Sequence, residues 1–314
     1  MHEGPRAPDT PPADAHAALQ ASETLRPRSP GAEAYLGRAM PALDHGFVQV
    51  IDYMGNDNDI VQAARVSYGP STRKVHDDRG LLRYLMRHRH TTPFEMCEVK
   101  LRCKMPIFVA RQWIRHRTAN VNEMSLRYSR ADDEFYVPAL EQVTLQSTTN
   151  RQGRSAEAAV PDAVRVKVRA LMSKRHKEVY EDYAALADEL GIARELARTI
   201  LPVSLYTQWI WKIDLHNLMH FLALRLDPHA QHEIRVFAEA IAEFTRAWVP
   251  LSWEAFCDYH LHSAHLSRLE LVALGRMLAG VSGSAAAEAA GLRGRELREF
   301  LAKLSRIPRP EAEA

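Results

Sequence analysis

Cysteine is nearly missing from this 314-residue chain: Cys97, Cys103 and Cys257 are the only three, and none stands at a metal-ligand spacing. So sparse and odd a count excludes a disulfide scaffold and fits a reducing compartment. Net charge is small as well, because 41 Lys and Arg face 39 Asp and Glu and leave +2. The whole chain therefore exerts no general pull on nucleic acid. No apolar run reaches the roughly 20 residues of a membrane span, and MHEGPRAPDTPPADAHAALQ lacks the basic head and apolar core of a signal peptide. No Gly-x-Gly-x-x-Gly follows a predicted strand, which excludes the usual dinucleotide-binding turn. These absences point to a soluble cytoplasmic protein, and a hydrophobic content of 46% is enough for a good core.

Residues 1–44 are rich in Pro, Ala, Glu and Asp, with almost no large apolar side chains to offset the entropy of ordering, so they are expected to form a disordered tail. The main domain is placed at 45–262. It opens with a strand over 46–54, stopped at Gly55, and a short helix capped by Asp59. Leu81, Leu82, Leu85 and Met86 share one face of a helix over 76–90, and Thr92-Pro93-Phe94-Glu95 repeats a helix-start signal. Strict alternation from Cys97 to Met105 gives the clearest strand. A short strand at 134–138, a polar surface loop over 141–158, and a long helix from Asp162 to Leu190 closed by Gly191 follow. After a strand over 205–213, Asp214 is placed to cap a helix, and Pro228 to begin another. With no strand–helix–strand repetition, the fold class is α+β: helices packed on a mainly antiparallel, curved sheet in a single domain. Residues 263–314 form a helical C-terminal extension. Within it AAAEAAGLRGRELREFLAKL has the order of a helix-turn-helix, although a packing appendage is favoured on fold-level grounds.

The densest chemistry lies in RQWIRHRTANVNEMSLRYSR, residues 111–130. If 107–117 is helical, Arg111, Gln112 and Arg115 share one side. Arginine forks match phosphate and carboxylate oxygens and stack on flat rings, so an anionic ligand with a planar heterocycle is expected, and a nucleotide meets both requirements.

Four ordered blocks give that expectation a family. Arg115-His116-Arg117, followed after seven residues by Ser125 with Asn122-Glu123 and Arg127 in the same block, resembles the signature of the flavin-dependent thymidylate synthases. His90-Thr91-Thr92-Pro93-Phe94-Glu95 resembles that family's His-x-Thr-Pro-Phe-Glu element, Arg198 before Leu201-Pro202 its second arginine, and Leu224-Arg225 before His229-Ala230-Gln231 its third. The resemblance covers residues 46 to about 262. Asn120 stands where many members carry serine, and Asp214 and His220 where members often carry asparagine.

The resemblance implies conversion of dUMP to dTMP, with a methylene from methylenetetrahydrofolate and a hydride from FAD that NADPH has reduced. It implies a dUMP set of Gln112, Trp113, Ile114, Arg115, Glu123, Met124, Ser125, Leu126, Arg127, Arg198 and Arg225, with Arg225 and Ser125 nearest the chemistry. It implies a flavin set of His90, Thr92, Arg115, His116, Arg117, Glu123, Asp214, His216 and His220, and a homotetramer whose sites draw on several chains. From the residues alone Arg225 reads as a helix C-terminal cation answering the dipole; the resemblance makes it the arginine held against the ring imide. No base is spaced to activate Ser125, so it orients rather than attacks, and no cysteine has the surroundings of a nucleophile. His216 and His220, or His229 and His232, have metal-like spacing without an acidic partner, and no metal is expected. The rival reading is a nucleic-acid-binding protein using the arginine-rich helix and the C-terminal helix pair.

Overall fold

A computed structural model describes residues 26–66, 78–147, 153–154 and 160–307. Its frame is one antiparallel sheet of five strands: β1 (Ala39–Ala42), β2 (Gly46–Met54), β3 (Glu98–Pro106), β4 (Asn120–Glu123) and β5 (Tyr206–Asp214), in the order β1-β2-β3-β5-β4. The alternation seen in sequence sets the register. Val99 faces Ile213, Leu101 faces Trp211 and Cys103 faces Trp209, while Val48 and Val50 lie opposite Cys103 and Leu101. All are buried on one face, and because side chains alternate with period two, a slip of one residue would expose the whole set. The other face carries polar pairs such as Lys212 with Glu98 at 2.9 Å.

Helices cover the apolar face. α2 (Asp57–Arg65), α3 (Asp78–Arg87), the single turn α4 (Thr92–Glu95), α5 (Ile107–Trp113), α8 (Leu215–Arg225), α9 (His232–Trp248) and α10 (Pro250–Phe256) send Ile60, Leu82, Phe94, Trp113, Leu218, Phe237 and Phe256 into one cluster. Each side chain of this kind contributes about 1.5–3 kcal/mol on full burial. A second, smaller cluster of Ala131, Phe135, Tyr183, Ala197 and Leu205 lies under α6 (Asp162–Ala184) and α7 (Arg194–Ala197).

Several expectations need correction. The expected tail falls outside the described residues up to 25. From Arg26 the chain is instead built into the domain: α1 (Pro30–Glu33) begins after Ser29, whose hydroxyl donates to the Trp248 carbonyl at 2.8 Å, and β1 pairs with β2. Met40 and Ala42 are small apolar contributions, too few to be read as a strand in so polar a stretch, yet an existing edge to pair with made them sufficient. Asp59 is not the cap of α2. Asn56 is, with Asp59 returning to the Asn56 amide as the other half of a capping box. Gly55 does end β2, at φ +82, where a Cβ would meet Cys97 Sγ at 2.7 Å.

α5 stops at Trp113 rather than Arg117, and α9 starts at His232 rather than Pro228 because Asp227 and Ala230 close a turn first. Segment 134–138 makes only a bridge, Phe135 to Leu205. The polar loop contains a short 3-10 turn at Leu140–Gln142 and a Gln146–Arg154 bridge; 148–152 and 155–159 lie outside the described residues. The long helix ends as expected at Gly191, φ +65, after a π-helical turn over Ala185–Glu189.

Candidate functional site

A cavity of about 290 Å³ opens where the α3–α4 turn meets α8 and the end of α10. Leu85, Met86, Phe94, Met219, Ala223 and Phe256 make its apolar walls, and Arg89, His90, His216, His220 and His260 its polar rim. The turn explains how His90 gets there. Its amide donates to the Leu85 carbonyl at 2.9 Å and that of Arg89 to Met86, the double bond of a Schellman closure, with Arg89 at φ +59 where glycine is usual. His216 and His220 stand one turn apart on the exposed side of α8 because Leu215, Leu218, Met219 and Leu222 take the buried side. Asp214 starts that helix: its carboxylate accepts from the Asn217 amide at 2.9 Å and side chain at 2.7 Å. Thr91 lines the cavity, whereas Thr92 is exposed.

At the far end of α8, Arg225 meets α5. Its Nε donates to His116 Nε2 at 3.0 Å and its Nη2 to the Gln112 carbonyl at 3.4 Å. His116 is wedged edge-on against Phe221 and lies 6.0 Å from the His220 ring. Burial, then the charges of Arg225 and His220, push its imidazole down to about 4 from an ordinary 6.5. His116 is therefore neutral, with Nε2 free to accept. Between pH 6.5 and 4 the unfolded chain binds this proton and the folded one does not, so stability is whole above 6.5 and falls as the pH drops through that window. The urea midpoint of His116→Gln is accordingly expected to fall less than that of the parent between pH 7 and 4.5. Parallel curves would count against a buried neutral imidazole.

α5 itself is positioned from both ends. Pro106 closes β3, and the otherwise orphaned amides of Ile107 and Phe108 donate to the Leu205 and Val203 carbonyls at 2.9 Å. Val109, Ala110 and Trp113 turn inward, which leaves Arg111, Gln112 and Arg115 outside. Gln112 bonds Gln231, and Gln231 donates to Glu233 at 2.8 Å. Glu233 is only 1% exposed. Burial raises its carboxyl pKa, but bonds from Arg154, Gln231 and Tyr136 outweigh burial and hold it below the usual range. Trp113 has no exposed side-chain surface, and Ile114 is 44% exposed.

Beyond α5 the chain forms β4, an edge strand not anticipated from sequence, pairing Asn120 with Lys212 and Glu123 with Trp209. Thr207 Oγ1 donates to Glu123 at 2.7 Å, and the Met124 amide to the Gln208 carbonyl at 2.8 Å. Leu126 packs on the second cluster. Ser125 Oγ accepts from the Arg127 amide at 3.4 Å, and Arg127 pairs with Glu195 at 2.9 Å, three residues before Arg198. Thus the fold collects the sequence-predicted residues into two groups. His90, His116, His216, His220, Gln112 and Arg225 line or adjoin the cavity; Arg127, two residues after Ser125, pairs with Glu195 on α7, and Arg198 follows the last residue of that helix. The cavity lining includes none of the second group, and Arg115 and Arg117 are exposed.

Several residues of the site escaped sequence reading: Arg89, Met219, Phe256, His260 and Glu233, while Phe94 and Gln231 stood in the family blocks with no role given to them. His260 had no sequence signal: it reaches the cavity in a π-helical turn over Cys257–Leu261, and such bulges are frequent at functional sites but invisible in composition.

The thiols are unsuited to nucleophilic work. Burial pushes Cys97 up to about 12 and Cys103 higher, and burial also raises Cys257. Cys103→Ala is expected to retain turnover within a factor of about three, since no transition-state contact is lost. Abolished activity in a folded variant would restore a thiol mechanism.

Residues 49–251 match the family described as thymidylate synthase complementing protein. The flavin-dependent thymidylate synthase of Ruegeria pomeroyi is 56% identical over 278 residues, covering 88% of this chain and 91% of the relative. That of Gluconobacter oxydans is 54% identical over 283 residues, covering 90% and 92%. Among solved structures, the UMP/dUMP methylase PolB from Streptomyces cacaoi bound with 5-Br UMP superposes with a TM-score of 0.62 at 34% identity, covering 70% of this chain and 99% of that one. By the match over residues 49–251 and by these relatives, the chain belongs to the family of flavin-dependent thymidylate synthases.

Proposed function

We propose that this chain methylates dUMP to dTMP reductively, with methylenetetrahydrofolate as one-carbon donor and NADPH as reductant, at a site that holds FAD. The observation that carries the reading is the fixed Arg225 guanidinium, oriented by a neutral imidazole and a main-chain carbonyl beside an imidazole-rimmed apolar cavity. A flavin fits the donor set: the cavity offers apolar walls for a planar ring and four imidazoles at the rim. Its volume is small for a whole dinucleotide, so the phosphates extend over exposed Arg115 and Arg117. His90, His216, His220 and His116 would hold the ring end. When bound and reduced, FAD supplies the hydride that completes the methyl group.

The chain's own residues do the rest. Arg225 stabilises the enolate-like anion of the uracil ring without an attacking thiol. Gln112, held by Gln231, orients the base; Arg127 and Arg198 take the 5′-phosphate, with Ser125 and Glu123 fixing the nucleotide between. The separation of the Arg127–Arg198 group from the cavity favours a site assembled from several chains, as in a homotetramer. The surface of α6 supports this, since Val166 is 55% and Leu171 56% exposed and Tyr183 is its single buried residue. Apolar exposure of that kind marks association faces. Among the described residues no helix is long and apolar enough to cross a membrane, and the three cysteines are free, which supports a reducing cytoplasm.

The purified protein is expected to be yellow, to bleach with NADPH when dUMP is present, and to re-oxidise with dTMP formation on adding methylenetetrahydrofolate. A colourless protein that cannot be reconstituted with FAD would remove the reading, and a fully active monomer in sedimentation would remove the shared site.

A further inference from the structure

The C-terminal extension lines neither the cavity nor the Arg225 pair, yet it has a core of its own. α11 (Arg268–Leu278), α12 (Gly283–Ala289) and α13 (Gly294–Ser305) enclose Ala273, Ala287, Leu292 and Phe300, with Leu269, Leu297 and Leu304 around them. Ser267 and Glu270 form a capping box at the start of α11, and the second oxygen of Glu270 receives Lys303 at 2.7 Å, fastening the end of α13 to it. Between α12 and α13 the chain turns within four residues, Ala290 to Arg293, with Gly291 at φ +95. A helix with two buried alanines, Ala286 and Ala287, a glycine-containing turn of four residues that buries Leu292, and a second helix seated by Phe300 follow the order of a helix-turn-helix.

The outer face of α13 indicates what it meets. Arg295, Arg298, Ala302 and Arg306 are exposed at successive turns and form one stripe about 16 Å long at 1.5 Å per residue. Residues 266–307 carry seven Lys and Arg against four Glu, of which Glu270 is neutralised by Lys303 and Glu299 by Arg295. Arginine forks match phosphate oxygens and guanine edges, and the second helix of this motif is the one that lies in the major groove. Whole-chain neutrality does not bear on this face, because screening over about 8–10 Å makes the field local.

We propose that the extension binds duplex DNA through α13, an activity separate from the flavin site. The test is fluorescence anisotropy of the full-length protein on a labelled 30-base-pair duplex. With three phosphate contacts, affinity is expected to fall roughly 40-fold between 50 and 200 mM salt. The variant Arg295→Ala/Arg298→Ala/Arg306→Ala is expected to lose at least tenfold in affinity at 50 mM and to flatten the salt slope, with an unchanged circular dichroism spectrum and unchanged dTMP formation. Glu296→Gln/Glu299→Gln is expected to bind several-fold tighter. Saturating dUMP should leave binding intact. The proposal is overturned by absence of binding at 50 mM salt, by equal binding of the triple variant, by displacement with dUMP, which would assign the DNA to the Arg127 and Arg198 surface, or by tighter binding of single-stranded RNA of equal length.

Discussion

Arg225→Ala is expected to lower kcat/KM for dUMP roughly 10²–10³-fold, the usual cost of removing one preorganised donor from a developing anion, about 3–4 kcal/mol. The side chain is half-buried at the C-terminal end of α8, where burial lowers its pKa without threatening its charge. His116 and the Gln112 carbonyl already fix its plane. Little reorganisation is therefore needed when charge develops on the ring. Lysine at 225 should not rescue, because a point charge lacks the fork that satisfies imidazole, carbonyl and ligand together. A second readout separates this role from structural loss. With the neighbouring cation gone, the His116 imidazole should titrate above its present value of about 4, while burial still keeps it below 6.5. Turnover within threefold of the parent would sink the assignment.

Trp113→Ala is expected to cost about 3–5 kcal/mol of stability, at the high end for a core truncation. The indole is fully buried, stacked on Phe221 at 4.9 Å and edge-on to Trp209 and Trp211 at 5.4 and 5.1 Å. It joins the sheet, α5 and α8 in one contact set, so the cavity it leaves lies directly beneath Gln112 and next to the helix that carries Arg225. The urea midpoint should fall sharply, compared at equal protein concentration because assembly contributes to stability. Trp113→Phe, which keeps an aromatic ring in the stack, should lose far less and retain dUMP affinity. Equal loss of affinity in both variants, with little loss of stability, would instead make the side chain a substrate contact.

Local pattern carried much of this protein. Alternation from Cys97 to Met105 fixed β3 and its buried face, the apolar spacing after Asp214 fixed α8 and so set His216 and His220 outside, and the ordered blocks at 90–95, 115–127, 198–202 and 224–231 identified the family. Those features depend on side-chain period and residue type, which a linear reading contains. β1 and β4 were invisible because each is a short edge strand whose pairing energy comes from a neighbour already in place. The neutral state of His116, the buried Glu233 behind Gln112 and Gln231, and the arrival of His260 at the cavity likewise had no sequence signal. Each results from groups far apart in the chain, such as Arg225 and His116 or Arg154 and Glu233, meeting in low-dielectric surroundings where burial and hydrogen bonding decide charge and orientation. The sequence by itself determined which chemistry this chain carries; only the tertiary structure decided which arginine is held rigid, which imidazole stays uncharged, and that the Arg127–Arg198 group stands apart from the histidine cavity, because those are properties of neighbours in space.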